Sequence, residues 1–332
     1  MSGTTGNQAR LVLERATLER YPALAAFHAK LGTSLYELPQ EQGAGRVFAK
    51  CEFENPSGTV KDRVACAMLW RLLQEEAHAE GLHVLEYSGG TLSVPLATLC
   101  EQLGVAITLV LSDGCDRSLI DKLLARGASV ELVPKSLGFY AVIERAQELS
   151  KANPTWRFLY QHTNAANLFI HETTTGREIL EQLPVKRVDA WVASVGTGGT
   201  LLGVHRALAA VFPKIALYAT TPAELPYGST APANGLPKFA GSGGFGLGRK
   251  QPFVQPVDDL VRAHIEVSYP EALLAMRRAH EELGFWIGSS SAANLRSARA
   301  LARELGPESV VVTVFPCAGT PEERARASAV QP

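Results

Sequence analysis

Cysteine is scarce and scattered. Cys51, Cys66, Cys100, Cys115 and Cys317 form no C-x-x-C pair. That spacing argues against a zinc framework or a disulfide scaffold and fits a reducing cytoplasm. Long apolar runs are also lacking: none approaches the roughly 20 residues that span a bilayer. Residues 1–10 are polar, without the apolar core of a secretory signal. No charge of one sign prevails. Lys and Arg number 32 against 33 Asp and Glu, a formal net charge of −1, so no electrostatic case exists for nucleic acid or an anionic membrane. Repeats and low-complexity blocks are absent, and only residues 221–252, dense in Gly and Pro, read as a long loop. These absences leave a soluble enzyme-like chain of 332 residues, long enough for two cores.

What is present is alternation. Residues 84–87, 106–111, 129–133, 190–195, 216–220 and 309–315 read as strands, most of them continuously apolar. Between them, residues 92–103, 119–126, 139–152 and 270–283 read as helices, with Gly127 stopping the second. Residues 11–30 predict one or two helices broken near Pro22, and residues 1–8 predict disorder. Strands and helices at this spacing predict βαβ units, parallel sheet and an α/β fold. Ligands then belong in a cleft faced by strand ends.

The stretch Asn55-Pro56-Ser57-Gly58-Thr59-Val60-Lys61-Asp62-Arg63 stands between a strand over 47–53 and a helix. Val60, Val64, Met68 and Leu72 give that helix one apolar face, and Thr59 with Asp62 predicts a capping box at its start. Lys61 then sits in the first turn, where the positive end of the helix dipole and any desolvation favour the neutral amine. A neutral lysine amine can form a Schiff base with a carbonyl cofactor. The plain alternative is a solvated helix lysine.

A second stretch, Gly196-Thr197-Gly198-Gly199-Thr200, joins a strand to a helix. Such a turn lets backbone close on a phosphate, with N–H groups, hydroxyls and a helix N-terminus as donors. G-x-G-x-x-G spacing is not met convincingly and no Walker lysine-serine pair follows, so a dinucleotide or a P-loop is disfavoured. Ser88-Gly89-Gly90-Thr91 is a shorter turn of the same kind. Gln161 and His162 open a polar segment that continues through Asn164, Asn167 and His171. Further glycine and serine clusters follow at Gly244-Phe245-Gly246-Leu247-Gly248 and Ile287-Gly288-Ser289-Ser290-Ser291, and the last strand ends in Pro316-Cys317-Ala318-Gly319. Ser290 also suits an N-cap for a helix beginning at Ala292.

Taken together, these segments resemble the cysteine synthase and cystathionine beta-synthase family, fold-type II enzymes that use pyridoxal 5′-phosphate (PLP). The resemblance runs over residues 31–319. It implies two three-layer α/β domains, tryptophan synthase beta-like, with the active site between them. Residues 40–155 would form the smaller domain, with the PLP lysine and substrate loop. Residues 10–39 and 156–325 would form the larger, with the phosphate loop. Lys61 is implied as the PLP lysine and catalytic base, and residues Gly196, Thr197, Gly198, Gly199 and Thr200 as the phosphate site. Ser290 is implied to face the pyridine nitrogen. Ser88, Gly89, Gly90, Thr91 and Gln161 would hold the substrate carboxylate, and Gly246 would lie in a loop lining the cleft. His162 stands where phenylalanine is common, which predicts an ionisable ring beside the substrate; His171 is expected to be structural. Three positions depart from the family pattern: Gly90 replaces asparagine, Leu92 replaces glycine and Ala318 replaces serine.

The implied activity is β-substitution on an O-activated L-serine, O-acetylserine or O-phosphoserine, through an aminoacrylate. The loss of the asparagine amide at Gly90 suggests a nucleophile other than sulfide. A serine/threonine deaminase of the same fold and a catalytically silent PLP-binding relative are the alternatives. A cytoplasmic homodimer, acting on a small amino acid and not on nucleic acid or membrane, completes the expectation.

Overall fold

The computed structural model describes residues 12–241 and 243–330. The disorder expected for residues 1–8 falls outside them. Two short helices, α1 (Arg15–Arg20) and α2 (Pro22–His28), meet at Tyr21. Pro22 sits in the first turn of α2, where its missing N–H costs nothing. Strands β1 (Leu35–Glu37) and β2 (Arg46–Lys50) follow as an antiparallel pair, and α3 (Lys61–Glu75) opens on Lys61. The chain then alternates β3 (His83–Tyr87), α4 (Ser93–Leu103), β4 (Ala106–Ser112), α5 (Arg117–Ala125), β5 (Ser129–Val133), α6 (Phe139–Ala152) and β6 (Arg157–Phe158). Helices α7 (Ala165–Ile170) and α8 (Gly176–Gln182) lead to β7 (Ala190–Ser194), α9 (Gly199–Val211), β8 (Ala216–Pro222) and β9 (Val261–Val267). Helices α10 (Tyr269–Leu283) and α11 (Ser289–Leu305), strand β10 (Val310–Val314) and α12 (Pro321–Ala329) close the fold.

The strands form two sheets. One is four-stranded in the order β5-β4-β3-β6, and the other six-stranded in the order β1-β2-β10-β7-β8-β9. Every pairing is parallel except that of the edge strand β1 with β2. The sheets part the chain elsewhere than at residues 40 and 155. Strand β2 lies in the six-stranded sheet, its Arg46–Lys50 in register with Val310–Val314, while β6, at 157–158, belongs to the four-stranded one.

Both faces of the larger sheet are covered, and period-two alternation sorts its residues. Val47, Ala49, Val192 and Val311 pack on one side; Phe48, Trp191, Val310 and Val312 pack on the other. Each large apolar side chain so buried stabilises the fold by about 1.5–3 kcal/mol. The predicted apolar face of α3 is buried against α4, with Val64, Met68 and Leu72 meeting Leu96, Leu99 and Cys100 in one cluster.

The cap of α3 differs from expectation. Thr59 Oγ1 accepts from the Lys61 N–H at 2.9 Å, but Asp62 turns back to Ser57, accepting its N–H at 2.8 Å and its hydroxyl. Gly58, at φ +79°, bends the chain so that Ser57 reaches Asp62 first. Among the described residues no helix is long and apolar enough to cross a membrane, and no cluster of His, Cys, Asp or Glu is placed to hold a metal.

Candidate active site

Lys61 is the first residue of α3, and two anchors fix its direction. The Val60 N–H donates to Pro316 O at 2.8 Å, tying the helix start to the end of the last strand. Two residues on, the fully buried Arg63 bonds Glu52 at 2.8 Å and Glu178 at 2.6 Å, and Lys50 joins Glu178 at 2.8 Å. Lys61 therefore faces the cleft, where burial lowers its pKa to about 8, with Glu86 opposing the fall. Sequence reasoning missed Glu86, which lies inside an ordinary strand. It is fully buried at the end of β3 and accepts the N–H groups of Tyr87 at 3.1 Å and Gln161 at 3.2 Å. Burial pushes its carboxyl up to about 8, against the pull of those bonds and of Lys61.

Across the cleft, β7 runs through the 196–198 turn into α9. Three glycines there are dictated by close approach. A Cβ on Gly196 would fall 2.5 Å from Gly241 O, on Gly198 2.5 Å from Val254 Cγ2, and on Gly199 2.1 Å from Asn167 Oδ1. Gly198 also holds φ +90°, which L side chains rarely adopt. The hydroxyls of the turn are held from behind. Asn167 Nδ2 donates to Thr197 Oγ1 at 2.9 Å, and Thr200 Oγ1 lies 3.1 Å from His171 Nε2. His171 Nδ1 pairs with Thr175 Oγ1 at 2.9 Å, the structural role expected of this buried ring. The Gly199 N–H at the start of α9 donates to Thr197 Oγ1 at 3.2 Å, and Gly198 offers no side chain to cap the N–H groups that follow, which remain for the cleft.

The turn shares a lobe of about 570 Å³ with Lys61, Thr91, Ser290 and Cys317. Ser290 is not an N-cap. Helix α11 begins three residues earlier than Ala292, at Ser289, capped by Gly288. A Cβ on Gly288 would meet Cys317 Sγ at 2.5 Å, so only glycine lets the chain pass Cys317 here. Ser290 Oγ lies 3.8 Å from Cys317 Sγ, a thiol that burial pushes up to about 11. This end of the lobe is polar and neutral.

An adjoining lobe of about 910 Å³ holds the expected carboxylate residues Ser88, Gly89, Thr91 and Gln161 beside Lys61 and His162. Gln161 Nε2 already donates to Tyr87 O at 2.9 Å, leaving one N–H for a ligand. Two expected positions stand off the lobe. Gly90 donates its N–H to Ser88 Oγ at 2.9 Å, and a Cβ on it would point to Leu119 Cδ2 at 3.5 Å. Gly246 backs onto Ala231 O, which a Cβ would meet at 2.7 Å. The wall is made instead by Gly241, Gly243, Gly244 and Phe245. Two glycine-rich registers overlap in this segment, and only the packing of residues 229–233 selects between them.

His162 is present in the lobe but not as an acid. It stacks on Tyr87 at 5.5 Å, its Nδ1 is bonded to the Tyr87 hydroxyl, and burial together with Lys61 lowers its pKa to about 3. The ring is neutral at physiological pH. Asn167 and Lys238 are the other residues that sequence reasoning left without a role.

Residues 27–316 match the family described as pyridoxal-phosphate dependent enzyme. Cysteine synthase of Staphylococcus aureus (strain Mu50 / ATCC 700699) is 34% identical over 280 residues, covering 84% of this chain and 88% of that protein. The solved O-acetylserine dependent cystathionine beta-synthase from Helicobacter pylori is similar at TM-score 0.80 and 24% identity, over 92% of this chain and 98% of that one. O-ureido-L-serine synthase is similar at TM-score 0.78 and 24% identity, over 90% and 92% of the two chains. Those two likenesses carry the fold. With the family match spanning most of the residues and the curated relative spanning most of both proteins, the chain belongs to the pyridoxal-phosphate dependent enzymes, in the cysteine synthase family.

Proposed function

We propose that the chain catalyses PLP-dependent β-replacement on an O-activated L-serine. The observation that carries this reading is a lysine amine of pKa about 8 opening on the same lobe as a glycine turn that leads into a helix N-terminus. The residues fit the cofactor. The turn that no Cβ could enter suits a phosphate, Lys61 suits a carbonyl carbon, and the Ser290 hydroxyl suits a ring nitrogen. When bound, PLP supplies the Schiff-base carbonyl and the electron sink for the α-carbon.

The chain's own residues do the rest. Thr197, Thr200 and the N–H groups at the start of α9 beyond that of Gly199 would hold the phosphate. Ser290 would give the ring nitrogen a neutral partner, which would not hold that nitrogen protonated as a carboxylate would, and this would suit elimination and addition at Cβ. Ser88, Thr91 and the remaining Gln161 N–H bind the substrate carboxylate. The free Lys61 amine would accept the α-proton at Nζ, and with a pKa of about 8 a useful fraction of it is neutral near that pH. Neutral His162 and the aromatic walls exclude water from the β-carbon. By its resemblance to cysteine synthases, the reading includes a cytoplasmic homodimer.

Borohydride reduction of the yellow protein followed by peptide mass spectrometry should find the pyridoxyl group on Lys61. Incubation with O-acetylserine and sulfide should yield a new amino acid. An adduct on another lysine, or ketoacid as the main product, would overturn the assignment.

A further inference from the structure

The larger lobe holds a second lysine. Lys238 comes from the long loop between β8 and β9 and lines the lobe together with Phe139, His162 and Phe245. Its side chain lies along Gly243: a Cβ on that glycine would sit 3.1 Å from Lys238 Cε and 3.3 Å from Nζ. Gly243 also holds φ +139°, so backbone and lysine shape this wall together. Among the described residues Lys238 has no hydrogen bond and no ion pair.

The charges around it are few. Glu224 is the one carboxylate that acts on Lys238, offsetting the burial that lowers its pKa. Glu224 Oε1 accepts the Tyr269 N–H at 2.6 Å, its buried Oε2 has no hydrogen-bond partner among the described residues, and neither oxygen makes an ion pair with the lysine. His162 is neutral, and Lys61 is the residue assigned to the cofactor carbonyl. Lys238 therefore gives the cleft a cation that neither phosphate binding nor the α-carboxylate uses. A neutral acetyl group would leave its three N–H donors unanswered, whereas an oxyanion would meet them in a lobe walled by aromatic rings.

We propose that Lys238 forms a subsite for an anionic group that enters or leaves at the β-carbon. This rests on the β-replacement reading. Two sources share that chemistry. One is the leaving group of the amino acid, a phosphoryl group on the serine oxygen. The other is an anionic nucleophile such as thiosulfate.

The test compares the wild type with Lys238→Met, which removes the charge at similar length, and Lys238→Arg, which keeps it. Two ratios of kcat/KM are read: O-phosphoserine over O-acetylserine with sulfide, and thiosulfate over sulfide. Calorimetric binding of inorganic phosphate and thiosulfate to the PLP-loaded protein gives a readout free of turnover. Lys238→Met should lower one ratio by about tenfold to a hundredfold, the usual effect of losing a bond to a charged group. Binding of the matching anion should weaken alongside, and Lys238→Arg should retain most of both. A fall in the first ratio assigns the anion to the leaving group, and a fall in the second to the nucleophile. If both ratios and both affinities stay within about twofold in a PLP-loaded Lys238→Met, a change worth less than thermal energy, the subsite is refuted and the lysine only props Gly243. If wild type turns over neither serine ester while anion binding still depends on Lys238, β-replacement falls and takes the β-carbon role with it, leaving only an anion site at Lys238.

Discussion

Placing an aspartate at Gly198 tests the phosphate turn most directly. Two costs arise in the protein alone. The residue holds φ +90°, and a side chain in that left-handed region costs about 1–2 kcal/mol. Its Cβ would also fall 2.5 Å from Val254 Cγ2, and overpacking of that kind costs about 1–3 kcal/mol. Gly198→Ala carries both costs and no charge, so it is the control. Gly198→Asp adds a carboxylate among the N–H groups that α9 offers to the phosphate. It competes for those donors and repels the ligand. Like charges about 5 Å apart at an effective dielectric near 20 repel by about 3 kcal/mol. That is a further loss of roughly 150-fold in PLP affinity beyond the alanine control. PLP titration followed by visible absorbance measures it, and thermal melting shows that both variants are folded. Equal PLP affinity in Gly198→Asp and Gly198→Ala would mean that the turn does not face the phosphate.

Two further outcomes follow from charge burial. In the PLP-free protein the folded pKa of Glu86 rises from 4.5 to about 8, so stability is lost as pH climbs through that window. Lys61, lowered from 10.5 to about 8, restores stability between pH 8 and 10.5, where the unfolded chain binds the extra proton. Glu86→Gln should flatten the fall in melting temperature between pH 4.5 and 8, and an unchanged slope would show that this carboxyl is not the titrating group. Arg63→Met removes the guanidinium from Glu52 and Glu178 and should destabilise the fold by about 3–5 kcal/mol, because buried carboxylates are left unpaired. Denaturant unfolding would check it, and a loss below about 1 kcal/mol, the scale of an exposed pair, would refute the buried-network account.

Much of the fold was legible in one dimension. Helix α6 spans the expected residues, and β5 and most other strands lie within a residue or two of theirs, because apolar periodicity is local. The motif stretches at 55–63, 88–91 and 196–200 were legible for a similar reason: a glycine turn between a strand and a helix announces itself over a few residues. Family membership was legible on the same segments.

Tertiary structure decided what depends on partners far apart in the chain. Strand β2 joined the six-stranded sheet because its partner β10 lies some 260 residues on, which no local pattern displays. Asp62 left its cap for Ser57, and α11 began at Ser289 because Gly288 must pass Cys317. Gly246 and Gly90 read as site residues, yet the direction of a Cβ is set by φ and by what packs behind it. Charge state was hidden most completely. His162 is neutral, Glu86 is raised and Lys61 is lowered because each is enclosed, and enclosure is made by the whole fold. The residue types of the site were determined by the sequence; their protonation was determined by burial, and the place of Lys238 on the larger lobe by the packing of the loop between β8 and β9.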